Sequence, residues 1–405
     1  LVITSFGQVS PHLYLNVLWL PTLGFVVLPL GLGGMALSLC PGLEGLAGGS
    51  MYLAAAFLDH LTRMLLWLQD QGWLWVMITP RPGWMECLGY WLLLGICVLK
   101  RPFFEMRTGI LAGCALALLC LPWMCNHMPW RAESIKVTVL DVGQGQSLCV
   151  QGPQGTRTLI DGGGSWNPDF DIGRFALSPA LTFRHWPRIE TVVLSHADFD
   201  HLRGLFYILR HYQVGRFVYN GRWPQGEDGR ILRRLMHTGE IPVQAVAAGD
   251  VLPIGQGISL QVVYPPPGYE AASDNDRSLV LRLCSKGQGY LLVPGDIEAA
   301  GIETLLESPG DMQADVLLVP HHGSRGSLSP KLYARCRPQL AVVSCGFLNI
   351  FRFPHSEVEQ ALVQAHVPCM STSTCGAIRV EWELGSADIS SVQTRLQGKV
   401  SWGER

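Results

Sequence analysis

Leu194-Ser195-His196-Ala197-Asp198-Phe199-Asp200-His201 is entered from the apolar run Thr191-Val192-Val193-Leu194. Four side chains able to ligate a metal, His196, Asp198, Asp200 and His201, fall within six residues. A strand that ends in such a cluster sets imidazole and carboxylate groups at the rim of a sheet, where they can converge on an ion. Two of the four are carboxylates, and hard oxygen ligands shift the preference toward harder cations.

Other strand ends carry comparable residues. Asp141-Val142-Gly143-Gln144-Gly145-Gln146-Ser147 and Leu159-Ile160-Asp161-Gly162-Gly163-Gly164 each end an apolar run in an aspartate and a glycine-rich turn. Taken alone, both read equally well as ordinary hairpin turns. Leu291-Leu292-Val293-Pro294-Gly295-Asp296 ends in an aspartate, Val319-Pro320-His321-His322-Gly323-Ser324 in paired histidines, and Pro354-His355-Ser356 holds a lone histidine. His196, Asp296 and His322 share one position, just beyond an apolar strand. If those strands are neighbours, their carboxyl ends form one rim, and two cations roughly 3.5–4 Å apart, bridged by a carboxylate, become feasible.

Around these motifs, residues 136–344 alternate short β runs with Gly, Pro and Asp turns, and helix-like segments intervene between residues 173 and 365. The pattern predicts an α/β domain of two sheets flanked by helices. The first third differs. The 405 residues are 48% hydrophobic and 15% charged, against about 25% charged in an average soluble protein. The deficit concentrates before residue 130. Residues 17–39 are long enough to span a bilayer, with Pro21 and Pro29 predicting a broken or partly re-entrant span. Residues 51–69 read as an amphipathic helix, and residues 84–99 and 109–124 as two further, slightly short spans. Lys100, Arg101 and Arg107 mark the loop between them as cytoplasmic, which places everything after about residue 126 outside the cytoplasm, with Trp123 and Trp130 as interfacial anchors. The chain starts at Leu1 without a signal-peptide pattern, so it is expected to begin within a longer protein. Its 12 cysteines form no CxxC pairs; one bond, Cys369–Cys375, stays open. The net charge of −2 argues neither for nor against a polyanionic partner.

The motif order DVGQG, LIDGG, SHADxDH, GD, PHHGS and PH resembles the metallo-β-lactamase fold. In these particular versions it resembles the extracytoplasmic domain of ComEC-type DNA-internalisation proteins, from Val137 to about Val380. Phe6-Gly7-Gln8-Val9-Ser10 and the following apolar run are similar to the end of that family's channel domain. The resemblance implies an αββα sandwich at residues 131–385, preceded by a transmembrane helix cluster at 1–130 and followed by a tail at 386–405. It implies His196, Asp198, Asp200, His201, Asp296 and His322 as metal ligands, with Asp296 bridging. Asp200, His322 and His355 would be catalytic, His355 as a late ligand or transition-state donor. His321, Asn275, Ser278 and Ser324 would lie by the substrate. One or two divalent ions are implied, Mn²⁺ or Zn²⁺, because Asp198 stands where a histidine is usual. No nucleotide cofactor is implied. Two departures stand out: Gln146 where the family has an acid, and Thr374-Cys375 in place of Thr-Asp.

Residues 184–234 are rich in arginine, including Arg203, Arg210 and Arg222, with Phe206, Tyr207, Tyr212, Tyr219 and Trp223 interleaved. That composition suits single-stranded nucleic acid, through phosphate neutralisation and base stacking, and reads equally well as core aromatics beneath a solvated arginine face. The expected function is therefore a multi-pass protein of the inner (plasma) membrane that works with other DNA-uptake proteins in transformation. Its periplasmic or extracellular domain would degrade one DNA strand by metal-dependent phosphodiester hydrolysis. The alternatives are a hydrolase of small esters, thioesters or lactams, and a catalytically weak DNA-binding gate.

Overall fold

The computed structural model describes residues 7–99, 106–127, 134–167, 169–271, 273–386 and 388–400. The chain divides into two compact units, Leu1–Thr79 and Pro80–Arg405.

In the first unit, helix α1 spans Asn16–Ser38 and α2 spans Glu44–Asp70. The predicted break in α1 is absent. Pro21 lies in the opening segment Asn16–Thr22, and a π-turn at Leu23–Val27 carries the helix past Pro29. The wider turn absorbs the ring's clash with the preceding carbonyl and its missing N–H. Ser50 Oγ donates to Leu30 O at 2.7 Å, tying α2 to α1. Among the described residues, α1 is the one helix long and apolar enough to cross a bilayer.

The second unit opens with two shorter apolar helices, α3 (Trp84–Val98) and α4 (Met106–His127). Gly89 of α3 lets the Ala115 backbone of α4 approach closely. Residues 100–105 of the basic loop, and Trp130, lie outside the described residues.

Two sheets follow. The nine-stranded sheet contains β1 (Ser134–Val139), β2 (Leu148–Gln151), β3 (Arg157–Ile160), β4 (Thr191–Leu194), β5 (Phe217–Tyr219) and β6 (Val243–Ala245). The seven-stranded sheet runs in sequence order from β7 (Val251–Gly255), β8 (Ile258–Tyr264), β9 (Val280–Ser285) and β10 (Gln288–Val293) to β11 (Val316–Leu318), β12 (Leu340–Val343) and β13 (Cys369–Ser371). The chain then returns to the first sheet as β14 (Ile378–Glu383), β15 (Ile389–Thr394) and β16 (Gly398–Val400), giving the order β6-β5-β4-β3-β2-β1-β14-β15-β16. The stretch expected as a tail therefore holds two strands. Ile389 and Val392 are buried and earn that placement by packing into the core.

Each sheet has an antiparallel half and a parallel half. Strands β3 to β6 pair in parallel, as do β10 to β13. Alternation in β1 buries Ile135, Val137 and Val139 against Leu260, Leu281 and Val293 of the other sheet. Helix α5 (Phe199–His211) buries Leu202, Leu205 and Ile208 on the outer face of the first sheet. The outer face of the second is covered by α7 (Ala299–Glu307), α8 (Pro330–Cys336) and α9 (Ser356–Gln364), numbered after α6 (Gly226–Thr238). This is the expected αββα sandwich. Strands β6 and β7 escape a reading by periodicity: all of β6 is exposed, and β7 carries Pro253 at a sheet edge. Cys369 and Cys375 are free thiols.

A buried polar tie joins the two sheets. Trp382 Nε1 of β14 donates to Asp315 Oδ2 at 3.0 Å, and Gln288 and Gln339 donate to Asp315 Oδ1 at 3.2 and 3.3 Å. Burial raises the Asp315 carboxyl to about 6, against the pull of these donors. A carboxyl raised in the folded state binds extra protons there, so its contribution to stability is complete below the unfolded value and is lost as pH rises through the folded one. Between pH 4 and 7 the protein should therefore lose on the order of 2 kcal/mol relative to Asp315→Asn. Urea midpoints of both proteins at the two pH values measure this, and parallel pH profiles would contradict it.

Candidate metal centre

The parallel halves aim their carboxyl ends at one rim. Asp161 follows β3, Ser195 and His196 follow β4, Asp296 follows β10, His321 and His322 follow β11, and Ser344 follows β12. The position after a parallel strand is where open α/β sheets collect ligands.

Three imidazoles converge with two carboxylates. His201 Nε2 lies 3.2 Å from Asp296 Oδ1. His322 Nε2 lies 3.3 Å from Asp296 Oδ2 and 3.4 Å from Asp200 Oδ2. Two groups offer ligand atoms within 4.8 Å of one another: His196, His201 and Asp296, and Asp200, His201 and His322. The Nε2 atoms of His196, His201 and His322, and Asp296 Oδ1, are buried with no hydrogen-bond partner. Leaving such groups unsatisfied costs about 1–3 kcal/mol each, so several at one point mark a place built for a cation.

Asp161 explains why the nitrogens point inward. Its Oδ1 accepts from the Ser195 amide at 2.7 Å. Its Oδ2 accepts from Ser195 Oγ, His201 Nδ1 and Gln146 Nε2, all at 2.8 Å. With its proton given to Asp161, Ser195 Oγ can accept from His196 Nδ1 at 3.1 Å. His322 Nδ1 donates to Ser344 O at 2.8 Å. In their neutral form all three rings thus carry the proton on Nδ1 and present an Nε2 lone pair, the tautomer a metal requires. Gln146, the departure at the DVGQG motif, supplies a donor where an acid would repel Asp161. Neither Asp161 nor Gln146 was singled out as a site residue from sequence, although the strand-end aspartate of LIDGGG was visible.

Backbone geometry completes the cradle. His321 and His322 both sit at positive φ, 47° and 56°, a costly conformation for non-glycine residues that aims adjacent side chains apart. Gly145, at φ 130°, lets the Asp200 backbone press against the DVGQG turn, which Gln146 N closes by donating to Asp200 O at 3.2 Å.

Charge follows geometry. Burial disfavours the ionised rings, yet Asp296 and Asp161 raise His201 well above its ordinary value, and Asp296 and Asp200 push His322 up to about 10. Burial likewise works against ionised Asp296 and Asp200, but the imidazoles hold both below the usual carboxylate range.

The other expected residues fall into distinct places. Asp198 is the N-cap of α5 without a side-chain capping bond; its half-exposed carboxylate lies 3.7 Å from His196 Nε2, at the edge of the cluster. His321 Nε2 lies 3.9 Å from Asp296 Oδ2, and its Nδ1 is 3.2 Å from Glu298, to which Asn275 also donates at 3.3 Å. His355 belongs to neither ligand group; its Nδ1 accepts from Arg325 N at 3.2 Å. Ser278 is buried and accepts from Asp296 N at 3.0 Å, so it fixes the backbone of Asp296 from inside the protein. Ser324 Oγ accepts from Gly326 N. Thr374 Oγ1 donates to Ser371 O, and the neighbouring Cys375 is buried.

The arginine–aromatic stretch dissolves as a surface. Tyr207 and Tyr212 are buried, and Trp223 packs edge-on against Tyr219 at 5.4 Å. Arg203 pairs with Asp228 at 3.3 Å and Arg222 with Glu270 at 3.7 Å. Arg210 lies ten residues beyond Asp200 on α5, about 15 Å along the helix from the cluster at 1.5 Å per residue. Tyr207 and Tyr212 thus belong to the core, Tyr219 and Trp223 pack on each other, and the arginines are scattered.

Comparison with known proteins places this arrangement. The sequence family described as metallo-beta-lactamase superfamily matches residues 140–346, just over half of the chain. The chain belongs to the metallo-β-lactamase superfamily. The family described as competence protein matches residues 1–103. That pairing is the ComEC-type arrangement to which the strand-end motifs point. The chain is 27% identical over 384 residues to ComE operon protein 3 of Bacillus subtilis, covering 91% of this chain and 48% of that protein. It is 27% identical over 425 residues to competence protein ComA of Neisseria gonorrhoeae, covering 99% and 51%. The chain thus spans about half the length of the curated relatives it matches. Igni18, described as a metallo hydrolase from Ignicoccus hospitalis, superposes with a TM-score of 0.41 at 14% identity, covering 61% of this chain and 98% of that one.

Asp161→Asn keeps the volume but turns an amide N–H toward donors. We expect divalent-metal affinity to fall roughly 10–100-fold with the circular dichroism spectrum preserved. Competition with a chromophoric chelator measures the affinity, and an unchanged value would remove Asp161 from the role assigned to it.

Proposed function

We propose that the chain belongs to a multi-pass membrane protein of DNA uptake whose metallo-β-lactamase domain hydrolyses phosphodiesters of single-stranded DNA. The observation that carries the reading is the set of buried, unpartnered Nε2 and carboxylate atoms at the convergent strand ends. This donor set fits one or two divalent cations. His196, His201 and Asp296 would hold one, and Asp200 and His322, with Asp296 shared through its second carboxylate oxygen, would hold another; Asp198 is placed to add an oxygen at the rim. A cation there supplies hydroxide near neutral pH and a Lewis acid for the phosphoryl oxygens.

The remaining work falls to the chain's own residues. Asp161, Ser195 and Ser344 keep the three imidazoles in one tautomer and prevent rotation. Ser278 fixes the backbone beneath Asp296. Because His355 Nδ1 accepts an N–H from Arg325, a neutral His355 carries its proton on Nε2. That N–H can donate a hydrogen bond to a phosphoryl or departing oxygen and so stabilise the charge that develops there. Carboxylate oxygens beside the imidazoles suit Mn²⁺ as well as Zn²⁺. The competence match and the apolar helices support membrane attachment. The basic residues at 100–107 support a domain facing outside the cytoplasm.

The full chain in detergent should cleave single-stranded DNA with Mn²⁺, and EDTA should abolish the activity. Asp296→Asn should lower the rate by at least about a hundredfold. Hydrolysis of lactams or thioesters with no DNA cleavage would replace this reading, and near-zero metal content in the intact protein would end it.

A further inference from the structure

The loop before His355 is an exposed apolar feature of the sandwich. Phe347 is 75%, Leu348 84% and Ile350 83% exposed, and Phe351 is 41% exposed. Four such side chains in five residues are not ordinary surface scatter; exposed apolar clusters mark interaction sites. The loop is held rigidly in that shape. Asn349 Nδ2 donates to Gly346 O and Phe353 O, both at 2.9 Å, and its Oδ1 accepts from Phe353 N at 2.8 Å. Leu348 and Arg352 adopt positive φ, 52° and 58°, which turns the chain back on itself.

The loop is joined to the candidate metal centre by stacked rings. Phe351 stacks on Phe353 with centroids 5.3 Å apart and planes 17° apart. Phe353 in turn lies 6.2 Å from the His322 ring at 29°. A second exposed ring flanks the ligand turn: Trp166, 66% exposed, lies over Phe199 at 3.9 Å, between Asp198 and Asp200 in sequence. Arg352 is exposed and outside every ion pair found among the described residues.

We infer that these two aromatic lips are base-stacking platforms, and that the substrate is gripped as single-stranded nucleic acid with unstacked bases on either side of the scissile phosphate. This rests on the phosphodiesterase reading above and adds how the strand is recognised. Flat exposed rings ending a stacked column match a nucleobase face, Leu348 and Ile350 fit beside unstacked bases, and Arg352 meets the backbone phosphate. A paired duplex hides its base faces and cannot use these lips.

The test compares a dT oligonucleotide with an abasic strand of equal length and charge. Binding to the full chain in detergent is followed by fluorescence anisotropy in EDTA, so that it does not depend on cleavage. Wild type should prefer dT, and Trp166→Ala and Phe351→Ala should each weaken dT binding roughly five- to thirtyfold while leaving abasic binding unchanged. Trp166→Phe should restore most of the preference. These side chains are exposed, so their loss leaves the core intact. Equal binding of both strands by wild type, or variants that keep the preference, would overturn the inference even if DNA is cleaved. Variants that keep the preference but lose association with lipid nanodiscs would assign the loop to the bilayer and also overturn it. A base preference lost in the variants, in a protein that cleaves nothing, would uphold recognition and reject the nuclease.

Discussion

One buried carboxylate orders this site. Asp161 accepts four hydrogen bonds from the Ser195 amide and hydroxyl, His201 and Gln146. Burying a charge is costly unless it is paired and hydrogen-bonded, and Asp161 is fully satisfied. The satisfaction has a direction. Directly for His201, and through Ser195 for His196, Asp161 holds the Nδ1–H and turns the opposite nitrogen toward the cluster. The rings are left with their lone pairs aimed at Asp296 and Asp200. The same low-polarity surroundings that make an orphaned nitrogen expensive make it a strong ligand.

The sandwich puts those groups in register. Parallel halves of two sheets run toward one edge, and the first residues past β3, β4, β10 and β11 are Asp161, Ser195 with His196, the Pro294-Gly295-Asp296 turn, and the Pro320–Gly323 turn. Strand-to-strand spacing of about 4.8 Å brings neighbouring strand ends within reach of one another. Helix α5 must then come close to the glycine-rich turns so that His201 and Asp200 can join. Gly145 and the Gly162–Gly204 approach have no room for a Cβ. Those glycines looked like turn punctuation in the sequence; they are also spacers for a ligand-bearing helix.

Much of this was legible in the residue order. Clusters after apolar runs named His196, Asp200, His201, Asp296 and His322, and the structure brings these five into two overlapping groups. What resisted reading shares one character. Ser278 and Asp161 act through hydrogen bonds to other ligands, and such bonds cross 18 and 40 residues of chain. Composition leaves the aromatics of residues 206–223 open between a stacking surface and the core, because it says nothing about which face of an element is covered. The apolar loop at 347–351 carries no motif, and its exposure comes from Asn349 and two positive-φ residues.

By itself the sequence determined the class of chemistry. Apolar runs of strand length ending in Asp and His, together with long apolar segments early in the chain, specify a sheet rim rich in candidate metal ligands and an early helix apolar enough to cross a bilayer. These follow from local periodicity and side-chain identity, which need no neighbours. Only the tertiary structure decided which nitrogen of each histidine faces the centre, that Gln146 serves Asp161, that Arg210 lies too far along its helix to take part, and that Trp166 and Phe351 stand open beside the site. Those are properties of contacts between distant segments. A proton's position and a ring's exposure are settled by whichever group packs against them, and the order of residues along the chain does not record that.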